Sequence, residues 1–494
     1  MEVPEMSRTP DAEDERPIRE RIADNPRPAM LWFTGFALLV ALEFGALANT
    51  VMAMPWELLM DKLPSFLTSI AAPFATVGDA LANIPTLLSR DIFDNSGWRQ
   101  PGGGWGGTFL GLSPAIIWAL RVVLVYAYAL VFLYWLWRGY LTFREHYRYA
   151  DWTPRDDMVN RFRGHSWGLF GFIVVFMFVV MAVFAPALGT TTVERTIENP
   201  FSYETKYLDT ETGQVETTLI GEANRGSGSE GAGSNVAPMT YDEFDRWHPF
   251  GTMPSGKDMF TFMVHGARVS LFIGVVAIGL SGFVAAGLAL LTAYYKGLAD
   301  LAVVVVGDSI MSLPRLLFLI LLSFVLQGTW IAGVYNGGFL LALLFAATGW
   351  PFLWRAVRGP AFQVSEQEWI DAARSFGQKP RVTMQKHMAP YILGYLLVYA
   401  SMTLGGIIIA VAGLSFLGLG VNAPTPEWGR AVNVGQTYVA TQSWHISFIP
   451  GVLIVLVVTA FNALGDGIRD AIDPQSDSGE DGSAEVAAAG GSGA

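Results

Sequence analysis

Eight stretches of this chain come close to the length at which a mostly apolar helix crosses a bilayer, and nothing else in the sequence constrains its fold as strongly. About 20 residues at roughly 1.5 Å each cover the hydrocarbon layer. Backbone N–H and C=O groups find no water there and must pair within the segment, so apolar runs of this length fold as spanning helices. The runs lie approximately at 30–54, 115–137, 169–188, 269–294, 301–326, 339–354, 392–419 and 448–464. Of 494 residues 52% are hydrophobic and 15% charged, against about 25% charged in soluble domains. The expected fold is an all-α polytopic membrane protein with about eight transmembrane helices.

The net charge of -12 sits mainly in the tails and one polar insert. Nucleic acid, whose phosphates need clustered cations, is therefore excluded as a partner. No cysteine is present, which removes disulfides, thiolate metal sites and thiol nucleophiles. Cytoplasmic loops of membrane proteins carry the excess of Lys and Arg. With the N-terminus inside, the inner segments collect Arg8, Arg16, Arg19, Arg21 and Arg27, then Arg138 to Arg163, Lys296, Arg355 to Lys386, and Arg469. Both termini are accordingly expected in the cytoplasm, and the first 29 residues, mixed acids, Arg and Pro, resemble no cleavable signal.

Between the first two spans, 55–114 mixes short apolar stretches (Leu58, Leu59, Leu63, Phe66, Leu67) with turn-forming Gly102 to Gly107, and is expected as an outer loop with interfacial helices. A second outer segment, 190–247, is acidic and centred on GSGSEGAGS, a flexible linker composition. After Pro474 the chain is too polar to fold alone.

Catalytic signatures are missing: there is no H-E-x-x-H, no G-x-S-x-G, and no two of the six histidines share a helix face, so no metal site is expected. One stretch, GTMPSGKD at 251–258, falls one hydroxyl short of a phosphate-binding loop. That loop needs a strand before it and Ser or Thr after the Lys to hold magnesium. Here no strand run precedes it, Asp258 stands at the magnesium position, and the topology places it outside. The residues instead suit turns at Gly251, Pro254 and Gly256, with Asp258 capping a helix from Met259.

The inner loop between the sixth and seventh spans carries the most information. Trp369, Ala372, Ala373 and Phe376 fall at i, i+3, i+4 and i+7, one apolar stripe of an amphipathic helix. Gly377 then serves as a C-terminal cap, and Pro380 suits the first turn of a second helix. The expected form is a helix, a sharp turn and another helix, both parallel to the membrane, with small residues at the bend that let a partner approach. Asp371-Ala372-Ala373, Gly377 and Pro390 resemble the EAA loop of ABC-importer membrane subunits, with Asp371 in place of the usual Glu.

Other stretches resemble one subfamily, the C-type permease subunit of dipeptide and oligopeptide importers. HPFGTMPSGKDMFTFMVHGARVSLFIG at 248–274, SFLGLGVNAPTPEWG at 415–429 and GDGIRDAIDP at 465–474 are similar to its segments in order, with Met253 and Lys257 where that subfamily tends to have Asp and Arg. The resemblance covers about 168–474. It implies a six-helix type I importer core at 166–473, with the outer insert 190–247 and a cytoplasmic coupling loop at 355–390. Ahead of it stand a cytoplasmic tail at 1–29 and two additional helices with their outer loop at 30–165; a disordered tail follows at 474–494. The coupling residues it implies are Glu368, Trp369, Asp371, Ala372, Ala373, Phe376, Gly377, His387 and Pro390; those of the outer mouth are Gly251, Thr252, Gly256, Lys257, Asp258 and Arg268. Implied partners are a B-type permease subunit, one or two ATPase subunits that bind ATP and magnesium in place of this chain, and an extracytoplasmic substrate-binding protein.

Ionisable residues inside a membrane are functional candidates because burying charge in hydrocarbon is costly. Asp308 and Arg315 lie seven apart in one span, hence on one face, with Pro314 expected to bend it; they either line a pathway or pack against a second subunit. Glu43 and Arg121, in the two additional spans, are expected to pair. The function that follows is half of the translocation pathway of an ABC importer, for peptides, without a catalytic site of its own. An ion-driven secondary transporter, a scaffold that recruits ATPases without a pathway, and a permease for nickel or another small solute are the alternatives.

Overall fold

The computed structural model describes residues 17–46, 86, 88–90, 92–148, 153–228 and 235–472. Its framework is helical. The chain enters through α1 (Ile18–Asp24) and α2 (Pro26–Leu42), and α3 (Pro114–His146) follows, with Pro114 in its first turn and the Ser113 hydroxyl accepting from the Ile116 N–H. Next come α4 (Pro154–Gly164), where Thr153 and Asp156 close a capping box, α5 (Ser166–Val183), the short α6 (Ile220–Gly226) and the 37-residue α7 (Met259–Tyr295). Beyond it lie α8 (Gly297–Met311), α9 (Arg315–Leu326), α10 (Gly338–Ser365) and α11 (Glu368–Ser375). Then α12 (Pro380–Phe416), α13 (Trp428–Gly435) and α14 (His445–Ile472) complete the bundle.

Among the described residues, six helices are long and apolar enough to cross a membrane: α3, α5, α7, the Trp330–Ser365 segment that contains α10, α12 and α14. A seventh span forms if α8 and α9, which meet at 82°, are taken together. The eighth expected run begins in α2, whose 17 residues make about 26 Å of helix, short of a full crossing. Its remainder beyond residue 46 lies outside the described residues, as do Leu58 to Leu67 and the tails at 1–16 and 473–494.

The segments expected in the cytoplasm gather at one end of the bundle. Arg21 donates to the Tyr147 carbonyl (2.6 Å), Arg161 to that of Ala471 (2.7 Å), and Lys296 at the end of α7 meets Glu366 ahead of α11 (3.2 Å). Small residues allow the closest helix approach. A methyl at Gly171 of α5 would lie 2.4 Å from the Leu464 nitrogen of α14, and Gly168 faces Gly467 across the same seam. Lipid offers no hydrophobic drive for helices to associate, so such van der Waals contact is what holds them.

At the other end, the insert is folded wherever it is described. Strands β3 (Glu204–Leu208) and β4 (Val215–Leu219) pair antiparallel from Glu204↔Leu219 to Leu208↔Val215, leading into α6. The linker expectation is thereby corrected for these residues: β-branched Thr and Val, with Tyr207 packed edge-on against Phe244 (5.1 Å), give a surface that pairs. The Gly-Ser centre at 229–234 lies outside the described residues. Between α2 and α3, Gly102 to Gly107 make the expected turn: Gly103 and Gly104 take positive φ between the two-residue strands β1 (Trp98–Arg99) and β2 (Trp105–Gly106).

Candidate functional site

Helix α11 is anchored by the one side chain that the apolar stripe left out. Ile370 is fully buried among Val357, Ala361, Val364 and Met388. The stripe itself faces away from the body: Trp369 is 48% and Phe376 90% exposed, with Ala372 exposed beside them. Glu368 and Asp371 lie on the surface, and among the described residues Asp371 meets Arg374 of its own helix (3.5 Å). Arg374 clamps the helix to the end of α7, its guanidinium 4.5 Å over the Tyr294 ring and 3.3 Å from the Tyr294 carbonyl.

The bend has the geometry of a Schellman cap. The Gln378 N–H donates to the Ala373 carbonyl at 3.0 Å and the Gly377 N–H to that of Arg374 at 2.9 Å, with Gly377 at φ +73°. These bonds satisfy carbonyls that the helix end leaves open, and the positive φ is what glycine supplies at no steric cost. The second arm differs from expectation. Pro380 does open a helix, but that helix runs without a break through His387 and Pro390 into the span that ends at Phe416. A wide turn, Met384–Met388, sits just ahead of Pro390, where a backbone donor is missing. The bend is thus the tip of a 37-residue rod.

Asp308, Pro314 and Arg315 are placed differently from the sequence reading. Pro314 stands at the N-terminus of α9, and the chain breaks at Ser312 to Pro314 where a simple bend was expected. Asp308 and Arg315 therefore belong to separate helices at 82°. Asp308 pairs with Arg355 of α10, both about half exposed, and Arg315 stacks 5.4 Å from the Phe345 ring centre. A second pair missed by sequence reasoning, Arg358 Nε to Asp300 at 2.7 Å, repeats the α8–α10 link. Two acids spaced eight residues apart on an apolar helix were the signal for it.

The residues of the expected outer mouth form one turn, except Arg268, which lies further along α7. Thr252 and Asp258 face each other in an antiparallel bridge; the Met253 N–H donates to Lys257 (2.9 Å) and the Gly256 N–H to Met253 (2.7 Å). Asp258 caps α7 by accepting from the Thr261 N–H at 2.7 Å. Gly251 and Gly256 have positive φ, and a Cβ on Gly256 would lie 1.7 Å from the Asn224 carbonyl oxygen. Met253 is buried beside Met259 and Phe178, which accounts for an apolar residue where Asp is usual. The Lys257 ammonium reaches the Ile197 carbonyl at 3.5 Å.

A buried polar knot ties this turn to the insert, and sequence reasoning missed it. His248 lies between Asp258 (Nδ1, 2.8 Å) and Asp242 (Nε2, 3.2 Å), and Arg246 holds Asp242 at 2.7 Å. Burial opposes ionisation of Asp242, yet Arg246 and His248 keep its carboxyl well below the usual range. Burial also works against a charged His248, but the two carboxylates prevail and raise its pKa. The two carboxylates thus favour the protonated form of the ring. Four acids within seventeen residues around H-P-F-G-T were the available signal.

The additional N-terminal segment is stitched to the same region. Arg121 donates to the Phe93 and Gly189 carbonyls (both 2.9 Å), and Arg90 to those of Pro186 (3.1 Å), Thr190 (2.9 Å) and Thr191 (2.8 Å). These cations cover open carbonyls just past α5, where positive charge is favoured. Glu43 accepts from the Leu88 N–H at 3.2 Å instead, so the expected Glu43–Arg121 pair is not made; backbone carbonyls compete successfully for the guanidinium. Asp245, buried, accepts from the Arg99 and Leu208 N–H groups (each 3.0 Å) and pairs with the Arg99 side chain (3.2 Å).

Comparison with known proteins gives the family of the chain. The family described as binding-protein-dependent transport system inner membrane component matches residues 281–477, and the N-terminal TM domain of oligopeptide transport permease C matches 153–211. The oligopeptide transport system permease protein OppC of Bacillus subtilis is 30% identical over 319 residues, 65% of this chain and 89% of that protein. The dipeptide permease DppC of the same organism is 37% identical over 234 residues (47% and 69%), and the glutathione permease GsiD of Escherichia coli 34% over 228 (46% and 72%). The chain thus belongs to the family of binding-protein-dependent transport system inner membrane components, as a non-catalytic, multi-pass permease subunit of the C type.

Proposed function

We propose that this chain forms half of the pathway by which a binding-protein-dependent ABC importer takes up peptides, with both termini and the α11 loop in the cytosol. The names of its relatives, for oligopeptides, dipeptides and glutathione, support the substrate class. The basic residues at the loop end support the orientation. The single observation that carries the coupling role is the outward stripe of α11, with Phe376 90% exposed at the tip of a capped bend. Exposed aromatics on a rigid element mark a docking site for a partner.

The partners are a B-type permease subunit, one or two ATPase subunits that hold ATP and magnesium, and an extracytoplasmic binding protein. An ATPase groove receives Trp369, Ala372 and Phe376; Gly377 sets the angle. Movement of the groove on ATP binding passes to α7 through Arg374 and Tyr294, and to the span through the continuous α12 rod. The α8–α9 break, held by Asp308–Arg355 and Asp300–Arg358, lines the pathway or meets the second permease. A ligand shifts such an equilibrium only by its differential affinity, so the ATPases must bind the outward-open state better. The test is peptide uptake by the reconstituted assembly with the ion gradient clamped. Uptake that stops on ATP depletion supports the reading; uptake that continues assigns the chain to ion-driven transport.

A further inference from the structure

An apolar groove of about 700 Å³ opens where the additional helix α3 stands off the core at the loop end, bounded by α4, α5 and α14. Its walls include Leu133 and Trp137 of α3 and Met158, Val159, Phe162 and Arg163 of α4. The four α4 positions are spaced i, i+1, i+4 and i+5 and form one helix face. That face is apolar apart from a single cation at its end.

The C-terminal end of helix α4 is fastened to the end of α14. Arg161 donates to the Ala471 carbonyl through Nε (3.0 Å) and its terminal nitrogen (2.7 Å), and His165 meets Asp470 at 3.0 Å. Arg163, exposed at the rim, makes no hydrogen bond or ion pair among the described residues. Water has no place in a cavity with so few polar partners. An empty groove in a membrane would forfeit the dispersion contacts of its whole lining. Trp137 and Tyr134 lie beside it, the amphipathic rings that settle at headgroup level.

We infer that this groove binds an anionic phospholipid, one acyl chain lying between α3 and the α4–α14 face and the phosphate on Arg163. Charge decides the occupant: acyl chains of any phospholipid fit the walls, but only a net-negative headgroup answers an unpaired guanidinium at the mouth. The lipid joins the additional N-terminal helix to the core at this end, as Arg90 and Arg121 join them at the other.

The test is native mass spectrometry of the purified full-length chain after incubation with phosphatidylglycerol or phosphatidylcholine of identical chains. The expected result is about fivefold greater retention of phosphatidylglycerol, the ratio that one arginine near an anionic headgroup confers. Arg163→Glu brings that ratio to one or below, whereas Arg381→Glu, at the same end but outside the groove, leaves it at about five. Leu133→Trp fills the groove and lowers retention of both lipids with Arg163 intact. Equal retention of the two lipids by the parent chain, or a preference that survives Arg163→Glu, overturns the proposal.

Discussion

The Gln378 N–H reaches back 3.0 Å to the Ala373 carbonyl, closing the α11 helix over a glycine at φ +73°. Apart from Gly377 itself and its two chain neighbours, no atom of the described residues lies within 4 Å of where a Cβ would be. Gly377→Ala therefore meets no clash, only the left-handed backbone penalty of about 1–2 kcal/mol. The expected outcome is normal membrane insertion, weaker capture of the ATPase subunits and lower uptake, with Gly377→Asn milder. Pull-down and uptake equal to the parent would remove the cap from the coupling mechanism.

Trp369 and Phe376 should contribute to partner binding and not to folding, because they are exposed in this chain. Replacing Phe376 by Ala is expected to weaken ATPase-subunit binding by roughly 2 kcal/mol, the scale of an aromatic anchor at an interface, or about thirtyfold. Thermal unfolding of the permease alone should not move. Ile370→Ala should do the reverse, loosening the loop by about 2–5 kcal/mol through loss of a buried anchor.

How much of this was legible depended on the reach of the interaction. Spans, the Gly377 cap, the Asp258 cap and the Pro380 start are set within a few residues, so periodicity and capping chemistry disclosed them. Which face of α11 turns inward was not, because Ile370 finds Val357 and Met388 only through tertiary packing, while the Trp369 stripe had the more obvious pattern. The same holds for the α8–α9 break, where seven-residue spacing put Asp308 and Arg315 on one face only if Pro314 left the helix intact. Asp308 instead found Arg355, forty-seven residues away. The His248 knot was hidden because Asp242 belongs to an insert that reads as linker by composition, while Asp258 caps α7 sixteen residues on.

The raised pKa of His248 gives that knot a defined pH window. A histidine with a raised folded pKa contributes stability that is complete below about 6.5 and fades as pH rises through the raised value. Asp242 and Asp258, both depressed, contribute above the ordinary carboxylate range and lose it as pH falls through their lowered values. The insert should be most protected between these limits. Hydrogen exchange across β3 and β4 should show protection falling on the alkaline side, and His248→Asn should abolish that dependence. An unchanged alkaline profile in the variant would falsify the assignment.

Asp245 is one joint between the additional N-terminal segment and the insert, beside Arg90 on Thr190 and Thr191. Asp245→Ala leaves the Arg99 and Leu208 N–H groups without their acceptor, at a cost of about 1–3 kcal/mol for a buried donor. Limited proteolysis should then cut both around Trp98 to Gly106 and in the β3–β4 hairpin, while the spans stay intact. Cleavage at neither place would show that Asp245 is not what holds the two segments together.

The chain contains no cysteine, so Phe376→Cys places a single thiol at the tip of the bend. Its reaction with a membrane-impermeant maleimide, in sealed vesicles of each orientation with and without the ATPase subunits, probes the coupling role most directly. Labelling confined to inside-out vesicles and blocked by the bound ATPases is the predicted result. Labelling from the opposite face, or labelling that the ATPases leave unchanged, contradicts it.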